Sequence, residues 1–211
     1  FNNQLFQVLN ARVQRSGHGG QTWKAIDVRS REPVTYGSSR IINIAASATA
    51  IFALGTYVAI SNSLENSYAF LVRSDDGRAT WSHVWTGPDA GPMGRGARRK
   101  QHPDVGTALA VLPDETVALA ALRDSSILIS KDGGRTFASR ATPASKPLVD
   151  LWASPKGVLY GVGAHGDIVV STDGGNSFRA TTTNTSADLA AIAGCGTSVW
   201  IVGARGTALR Y

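Results

Sequence analysis

One pattern recurs four times in this sequence, and it constrains the fold more than any other feature. Two copies are close: Ser171-Thr172-Asp173-Gly174-Gly175-Asn176-Ser177-Phe178 and Ser130-Lys131-Asp132-Gly133-Gly134-Arg135-Thr136-Phe137. A looser copy is Ser74-Asp75-Asp76-Gly77-Arg78-Ala79-Thr80-Trp81, and the loosest is Ser16-Gly17-His18-Gly19-Gly20-Gln21-Thr22-Trp23. Each describes a turn. A strand ends at the serine, the aspartate bonds backbone amides, glycine takes positive φ, and the aromatic opens the next strand and packs on a neighbour. Asp132 and Asp173 are 41 residues apart, Asp76 and Asp132 are 56 apart, and His18 and Asp76 are 58 apart. Such spacings suit one four-stranded blade per repeat, with insertions in the longer units.

The segments before each turn align as well. Residues 149–160 match residues 42–53, and both read as strand, short turn, strand. Residues 108–120 and 188–202 follow the same plan, bending at Pro113-Asp114-Glu115 and at Gly194-Cys195-Gly196. At the front, residues 5–8, 11–15 and 23–28 read as the second, third and fourth strands of a blade. At the back, Tyr211 falls where Ser171 stands in the preceding copy. The expectation is three strands, three full blades and three strands again, or about four and a half blades. Four closures remain open: a longer propeller, an irregular five-bladed ring, completion by a second chain or missing segment, or end units built differently. Residues 1–211 are therefore read as a single all-β propeller domain or a fragment of one.

The Ser-x-Asp-x-Gly-x-Thr-Trp/Phe pattern resembles the Asp-box, or BNR repeat, of sialidase-like, xyloglucanase-like and photosystem II assembly-factor-like β-propellers. The resemblance covers residues 12–211. Arg78 departs from it where glycine is expected, and His18 where aspartate is expected. The resemblance implies that Asp-box residues are structural and lie on the rim, away from the channel where ligands bind. Ser16, His18, Trp23, Ser74, Asp76, Trp81, Ser130, Asp132, Phe137, Ser171, Asp173 and Phe178 are accordingly read as turn builders, not catalysts. It also implies an extracytoplasmic, periplasmic or secreted, location.

A glycosidase needs two carboxylates across the scissile bond. Glu32, Glu65 and Glu115 all fall in expected loops, and Arg40-Ile41-Ile42 lacks the proline of a sialidase start. No catalytic residue is assigned. A glycan-active hydrolase of sialidase-like or xyloglucanase-like type, or a fragment of one, stays as the alternative. His18, His83, His102 and His165 are scattered, so neither metal nor cofactor is expected. Gly161-Val162-Gly163-Ala164-His165-Gly166 mimics a dinucleotide fingerprint but leads into another strand, which makes it a hairpin.

The chain carries a net charge of +6 and one cysteine, Cys195, so no intrachain disulfide forms. Binding is expected in what departs from the repeat. The insertion at 86–103 holds Arg95, Arg98, Arg99 and Lys100, with no acid among them. The insertion at 27–40 adds Arg29, Arg31 and Arg40, and a third, polar insertion spans 61–67. Trp85, Trp152 and Trp200 are read as blade anchors or stacking surfaces. These features favour a non-catalytic binding or scaffolding propeller for an acidic protein or an anionic glycan. Nucleic acid is not favoured, because no recognised motif accompanies the charge. The uncharged stretch 41–60 has the length of a membrane span, but the repeat divides it into two strands, and no span is expected. Phe1 opens directly onto polar residues, so no signal segment is expected there.

Overall fold

The structure is a computed structural model that describes residues 4–9, 12–28, 38–61, 64–76, 80–87, 105–121, 123–195 and 198–211. Its regular elements are strands, apart from two single-turn 3-10 segments at Ala164–Gly166 and Ala204–Gly206. The chain divides into two compact units, Phe1–Asp104 and Val105–Tyr211. Every sheet is an antiparallel meander, and in sequence order the sheets hold three, four, four, four and three strands. These are the blades of a β-propeller fold.

The first unit carries two sheets. β1 (Leu5–Leu9), β2 (Arg12–Ser16) and β3 (Lys24–Ile26) form one, and β4 (Ser38–Ala46), β5 (Ile51–Ser61), β6 (Leu64–Ser74) and β7 (Ser82–Thr86) form the other. Alternation along each strand sends Phe6, Val8, Val13 and Ile26 of the first sheet into a common core with Ile41, Ile51, Ala53, Val72 and Trp81 of the second. Residues 41–60, of membrane-span length, are divided between β4 and β5 by a turn at 47–50, and no described helix is long and apolar enough to cross a membrane. The expected loop at 61–67 is largely strand instead. β5 and β6 pair without interruption from Ile51↔Ser74 to Ser61↔Leu64, so the polar insertion lengthens a hairpin and Glu65 lies in β6.

The second unit carries three sheets: β8 (Val105–Val111) to β11 (Ala138–Arg140), β12 (Leu148–Ala153) to β15 (Arg179–Thr181), and β16 (Leu189–Cys195) to β18 (Ala208–Arg210). Between them lie β9 (Val117–Ala121), β10 (Ile127–Ser130), β13 (Leu159–Gly163), β14 (Ile168–Ser171) and β17 (Ser198–Gly203). Two apolar layers separate the sheets. Ala118, Ala120, Ile127 and Ile129 meet Leu148, Leu151, Leu159 and Val169 in one. Val162, Ile168 and Val170 meet Leu189, Ile192, Val199 and Ile201 in the other, with Trp152, Tyr160 and Leu209 alongside. Leu159 and Val162 belong to opposite layers because successive strand residues point to opposite faces.

The Ser-x-Asp turns follow one geometry. Asp132 Oδ1 accepts the Ser130 hydroxyl at 2.7 Å and the backbone amides of Arg135 and Thr136 at 3.0 and 2.9 Å, while Oδ2 accepts the Thr136 hydroxyl at 2.6 Å. Asp173 repeats this with Ser171, Asn176 and Ser177 at 2.7, 3.0 and 3.0 Å, and with the Ser177 hydroxyl at 2.6 Å. The serine oxygen accepts the amide of the second glycine, from Gly134 and Gly175 at 2.8 Å in each case. In the third copy, Ser74 and Thr80 donate to Asp76 at 2.9 Å each. The four serines are buried. In the fourth copy His18 stands in for aspartate. Its Nδ1 lies 3.2 Å from the Thr22 hydroxyl, and the Gly20 amide still donates to Ser16 at 2.9 Å.

Candidate functional site

A cleft of about 410 Å³ in the first unit is lined by residues of β2, β3, β4 and β6. Val13, Ile26, Val28, Ile41 and Phe70 form its apolar lining, of which Val13 and Ile41 are buried. Arg12, Asp27, Ser39 and Arg40 also line it, with Ala25, and these four polar residues are exposed. The placement follows from strand order. Arg12 opens β2, Asp27 follows β3, and Ser39 and Arg40 lie near the start of β4, so three strand ends bring polar residues to one edge of an apolar layer. Chemically, the cleft combines two arginines with apolar lining residues. Guanidinium groups suit carboxylate, sulfate or phosphate, and the apolar lining suits a hydrocarbon side chain next to that anion. Asp27 gives the lining a negative charge as well, which lowers its attraction for an anion.

Of the expected binding residues, the structure brings Arg40 to this cleft. Arg29, Arg31, Arg95, Arg98, Arg99 and Lys100 lie outside the described residues, as do Glu32 and His102. Sequence reasoning missed Arg12. It belongs to a strand rather than an insertion, and its significance comes from a neighbour distant in sequence.

The aspartates of the turns are fully engaged. The Thr136 hydroxyl, with the Ser130 hydroxyl and the amides of Arg135 and Thr136, holds the Asp132 carboxyl well below the usual carboxylate range. The Ser177 hydroxyl and amide, with Ser171 and Asn176, do the same to Asp173. Such a carboxylate is a poor proton donor or base at neutral pH. Among the described residues, no group of three or more His, Cys, Asp or Glu side chains is gathered as a metal site.

Asp150 differs. It is largely enclosed, and burial raises its pKa against the opposing effect of two backbone amides, Ile192 N–H on Oδ2 and Leu151 N–H on Oδ1, each at 2.9 Å. Its equivalent in the second sheet is Asn43, whose Oδ1 accepts the Ile44 amide at 2.7 Å. Both sit at the register shift of a first strand, where one residue is left out of the ladder. The side chain thus supplies an acceptor that the bulge removes.

Ser145, His165 and Asp167 come together without forming a nucleophilic relay. The Ser145 hydroxyl and amide both donate to Asp167 Oδ2, at 2.7 and 2.6 Å, and His165 Nδ1 lies 3.4 Å from the hydroxyl. In a relay the acid orients the histidine and the histidine takes the serine proton; here the acid takes the serine directly. His165 has φ 57° at the tip of the hairpin, and its amide donates to Asp188 at 3.0 Å. It shapes a turn.

The tryptophans divide. Trp152 packs against Tyr160 at 5.6 Å between ring centres, and Tyr160 meets Tyr211 edge-on at 6.0 Å. Gly194 leaves room for the Trp152 ring, since any Cβ there would overlap it. Trp85 is half-buried in β7, while Trp200 stays 51% exposed.

No protein-family model matches the chain, and no curated protein matches it. Solved structures do. The structure of YCF48 bound to D1 peptide is similar over 99% of this chain and 75% of its own, with 17% identity and a TM-score of 0.48. Virginiamycin B lyase from Staphylococcus aureus matches over 98% of this chain and 82% of its own, at 11% identity and TM-score 0.50. The RRP9 WD40 repeats match over 88% of this chain and 56% of theirs, at 15% identity and TM-score 0.50. At such identities the likeness is one of fold. One of these proteins is named a lyase and another a set of WD40 repeats, so the fold does not select a chemistry.

Proposed function

We propose that this chain is a non-catalytic binding propeller that holds an acidic segment of another protein in the cleft of its first unit. The observation that carries this reading is the meeting of Arg12 and Arg40 with an apolar lining of Val13, Ile41 and Phe70. A carboxylate between the two guanidinium groups, with its neighbouring apolar side chain on that lining, uses both kinds of residue in the cleft. An anionic glycan uses the arginines and leaves the apolar lining idle, which favours the protein ligand. The chain's charge of +6 adds long-range attraction for either. The Asp-box resemblance supports a rim-building role for Asp76, Asp132 and Asp173 and an extracytoplasmic location.

The test is fluorescence anisotropy with two labelled peptides of equal negative charge, one with leucine or phenylalanine beside each acid and one with serine there. A sulfated oligosaccharide serves as a third ligand. The apolar-acidic peptide is expected to bind tightest, and Arg12→Glu with Arg40→Glu to weaken it at least about tenfold, as loss of paired charged contacts does. Equal affinity for both peptides, or unchanged affinity in the double variant, sinks the assignment. Preference for the sulfated sugar replaces the protein ligand by the glycan.

A further inference from the structure

Three turns of the second unit enclose a cleft that the repeat alone does not explain. Pro113 and Asp114 line it from the β8–β9 turn, Pro155, Lys156 and Gly157 from the β12–β13 turn, and Gly174 from the turn between β14 and β15. Its volume is about 320 Å³, near the lower end, roughly 300 Å³, of pockets that hold a ligand. The first two turns each close five residues between paired strand ends, Val111↔Val117 and Ala153↔Leu159. Pro113 is therefore equivalent to Pro155, and Asp114 to Lys156, in adjacent sheets that share one apolar layer. The β1–β2, β4–β5 and β16–β17 turns contain no proline. The proline pair and the opposite charges beside it are thus additions to the repeat, and they meet at one cleft.

Each wall is held by its own bonds. The Glu115 amide donates to Leu112 O at 3.0 Å, and the Thr116 amide to Asp114 Oδ1 at 3.0 Å. In the second turn the Gly157 amide donates to Ser154 O at 3.0 Å, and the Val158 amide to Ser154 Oγ at 3.0 Å. Lys131 ties the first turn to the third, its ammonium donating to Thr116 Oγ1 at 3.1 Å and to Gly174 O at 2.6 Å. Proline fixes φ in both walls. A cleft shaped in advance loses little freedom when it is filled. Pro113, Asp114, Pro155 and Lys156 are all exposed, so the cleft is open to a chain that continues past it.

We infer that this cleft binds a segment of another protein in which an aromatic side chain stands between an acid and a base. The aromatic ring uses the apolar surface of Pro113 and Pro155, as a large rigid side chain does at little entropic cost. The ligand's base pairs with Asp114 and its acid with Lys156, which fixes the segment's placement. The charge pattern sets the selectivity. A ligand with two acids meets one like charge at Asp114, and a ligand with two bases meets one at Lys156. The site is separate from the arginine cleft of the first unit and takes a ligand without net charge.

Amide NMR titration of the whole 22.1 kDa chain tests this. The probes are end-blocked peptides centred on Glu-Trp-Lys, Glu-Trp-Glu, Lys-Trp-Lys and Glu-Ala-Lys. Glu-Trp-Lys is expected to shift the amides of Asp114, Lys156, Gly157 and Gly174 and to bind tightest. Glu-Ala-Lys is expected to bind at least about tenfold weaker, the scale of losing one buried aromatic side chain. Lys156→Glu is expected to move the preference to Lys-Trp-Lys, and Asp114→Lys to Glu-Trp-Glu, each by about fivefold, the scale of exposed ion pairs. Should Asp114→Lys lose the spectrum of the folded chain, Asp114→Asn keeps the acceptor of the Thr116 amide and is expected to bind Glu-Trp-Lys and Glu-Trp-Glu equally. Peptides that leave the four amides unshifted at millimolar concentration, or that shift Val13 and Ile41 of the first unit instead, overturn the proposal. Equal binding of the tryptophan and alanine peptides overturns it, as does a charge preference that does not follow the variants. Free tryptophan that binds as tightly as the blocked peptide assigns the cleft to a small zwitterion and overturns the protein partner.

Discussion

The carboxylate of Asp150 accepts the backbone amide of Ile192 at 2.9 Å, tying the first strand of one blade to the first strand of the next. Its other oxygen accepts the Leu151 amide at 2.9 Å. Asp150→Ala leaves two enclosed amides without an acceptor. Each costs about 1–3 kcal/mol, so the loss of stability is expected to be at least about 2 kcal/mol. Asp150→Asn keeps one carbonyl acceptor and is expected to lose about half as much. Urea unfolding measures both. Equal stability of Asp150→Ala and wild type shows that the bond contributes nothing.

Acid dependence carries two opposed contributions. Asp132 and Asp173 have folded pKa values below the ordinary one, because hydroxyls and amides favour the charged form. The stability they give is present above the unfolded pKa and is lost as pH falls through the folded pKa. Asp150 has its pKa raised by burial. Its contribution is full below the unfolded pKa and is lost as pH rises through the folded one, so on acidification it grows. The wild type is therefore expected to lose stability as pH falls below about 5, with Asp150 offsetting part of the loss. Asp150→Asn is expected to steepen that loss, and Asp132→Asn or Asp173→Asn to flatten it. Urea midpoints across the range decide this. A flatter profile for Asp150→Asn contradicts the sign.

The distribution of these effects shows what was legible in the sequence. The turns were, because each is closed within eight residues: Ser130, Asp132, Gly134 and Thr136 bond one another across two to four positions. The equivalence of Asn43 and Asp150 follows from aligning residues 42–53 with 149–160, but the bond from Ile192 crosses 42 positions and leaves no local signal. Arg12 and Arg40 meet at one cleft for the same kind of reason, since the order of β2, β3 and β4 in space joins them. The polar stretch 61–67 read as a loop because it lacks apolar alternation. It is largely strand because β5 and β6 extend their ladder through backbone bonds, which need no apolar side chains.

His18 occupies a turn already shaped for aspartate. Gly19 and Gly20 have φ 61° and 87°, against 69° and 87° for Gly133 and Gly134. The His18 ring reaches the Thr22 hydroxyl, but at the equivalent place Asp132 Oδ1 also accepts two backbone amides. His18→Asp restores that acceptor without altering the backbone. It is expected to stabilise the protein by about 0.5–2 kcal/mol. Thermal unfolding at neutral pH measures it, and a melting temperature below the wild type refutes it.

Two turn glycines separate backbone conformation from packing. Gly175 and Gly206 both lie in the left-handed region, with φ 86° and 72°. A Cβ at Gly206 meets nothing within 4 Å, so Gly206→Ala costs the conformational preference alone, about 1–2 kcal/mol. A Cβ at Gly175 stands 2.7 Å from Ile129 Cδ1 and 3.1 Å from its Cγ1, on a side chain held in the layer between two blades. Gly175→Ala therefore adds an overpacking cost of about 1–3 kcal/mol to the same conformational cost. Ile129→Val with Gly175→Ala separates the two: removing Cδ1 removes the nearest contact, so the double variant is expected to recover part of the difference between the single glycine variants. Urea unfolding of the four proteins gives the coupling. Additive effects of Gly175→Ala and Ile129→Val show that the turn and the neighbouring blade do not press on each other, and that the glycine is required for its φ alone.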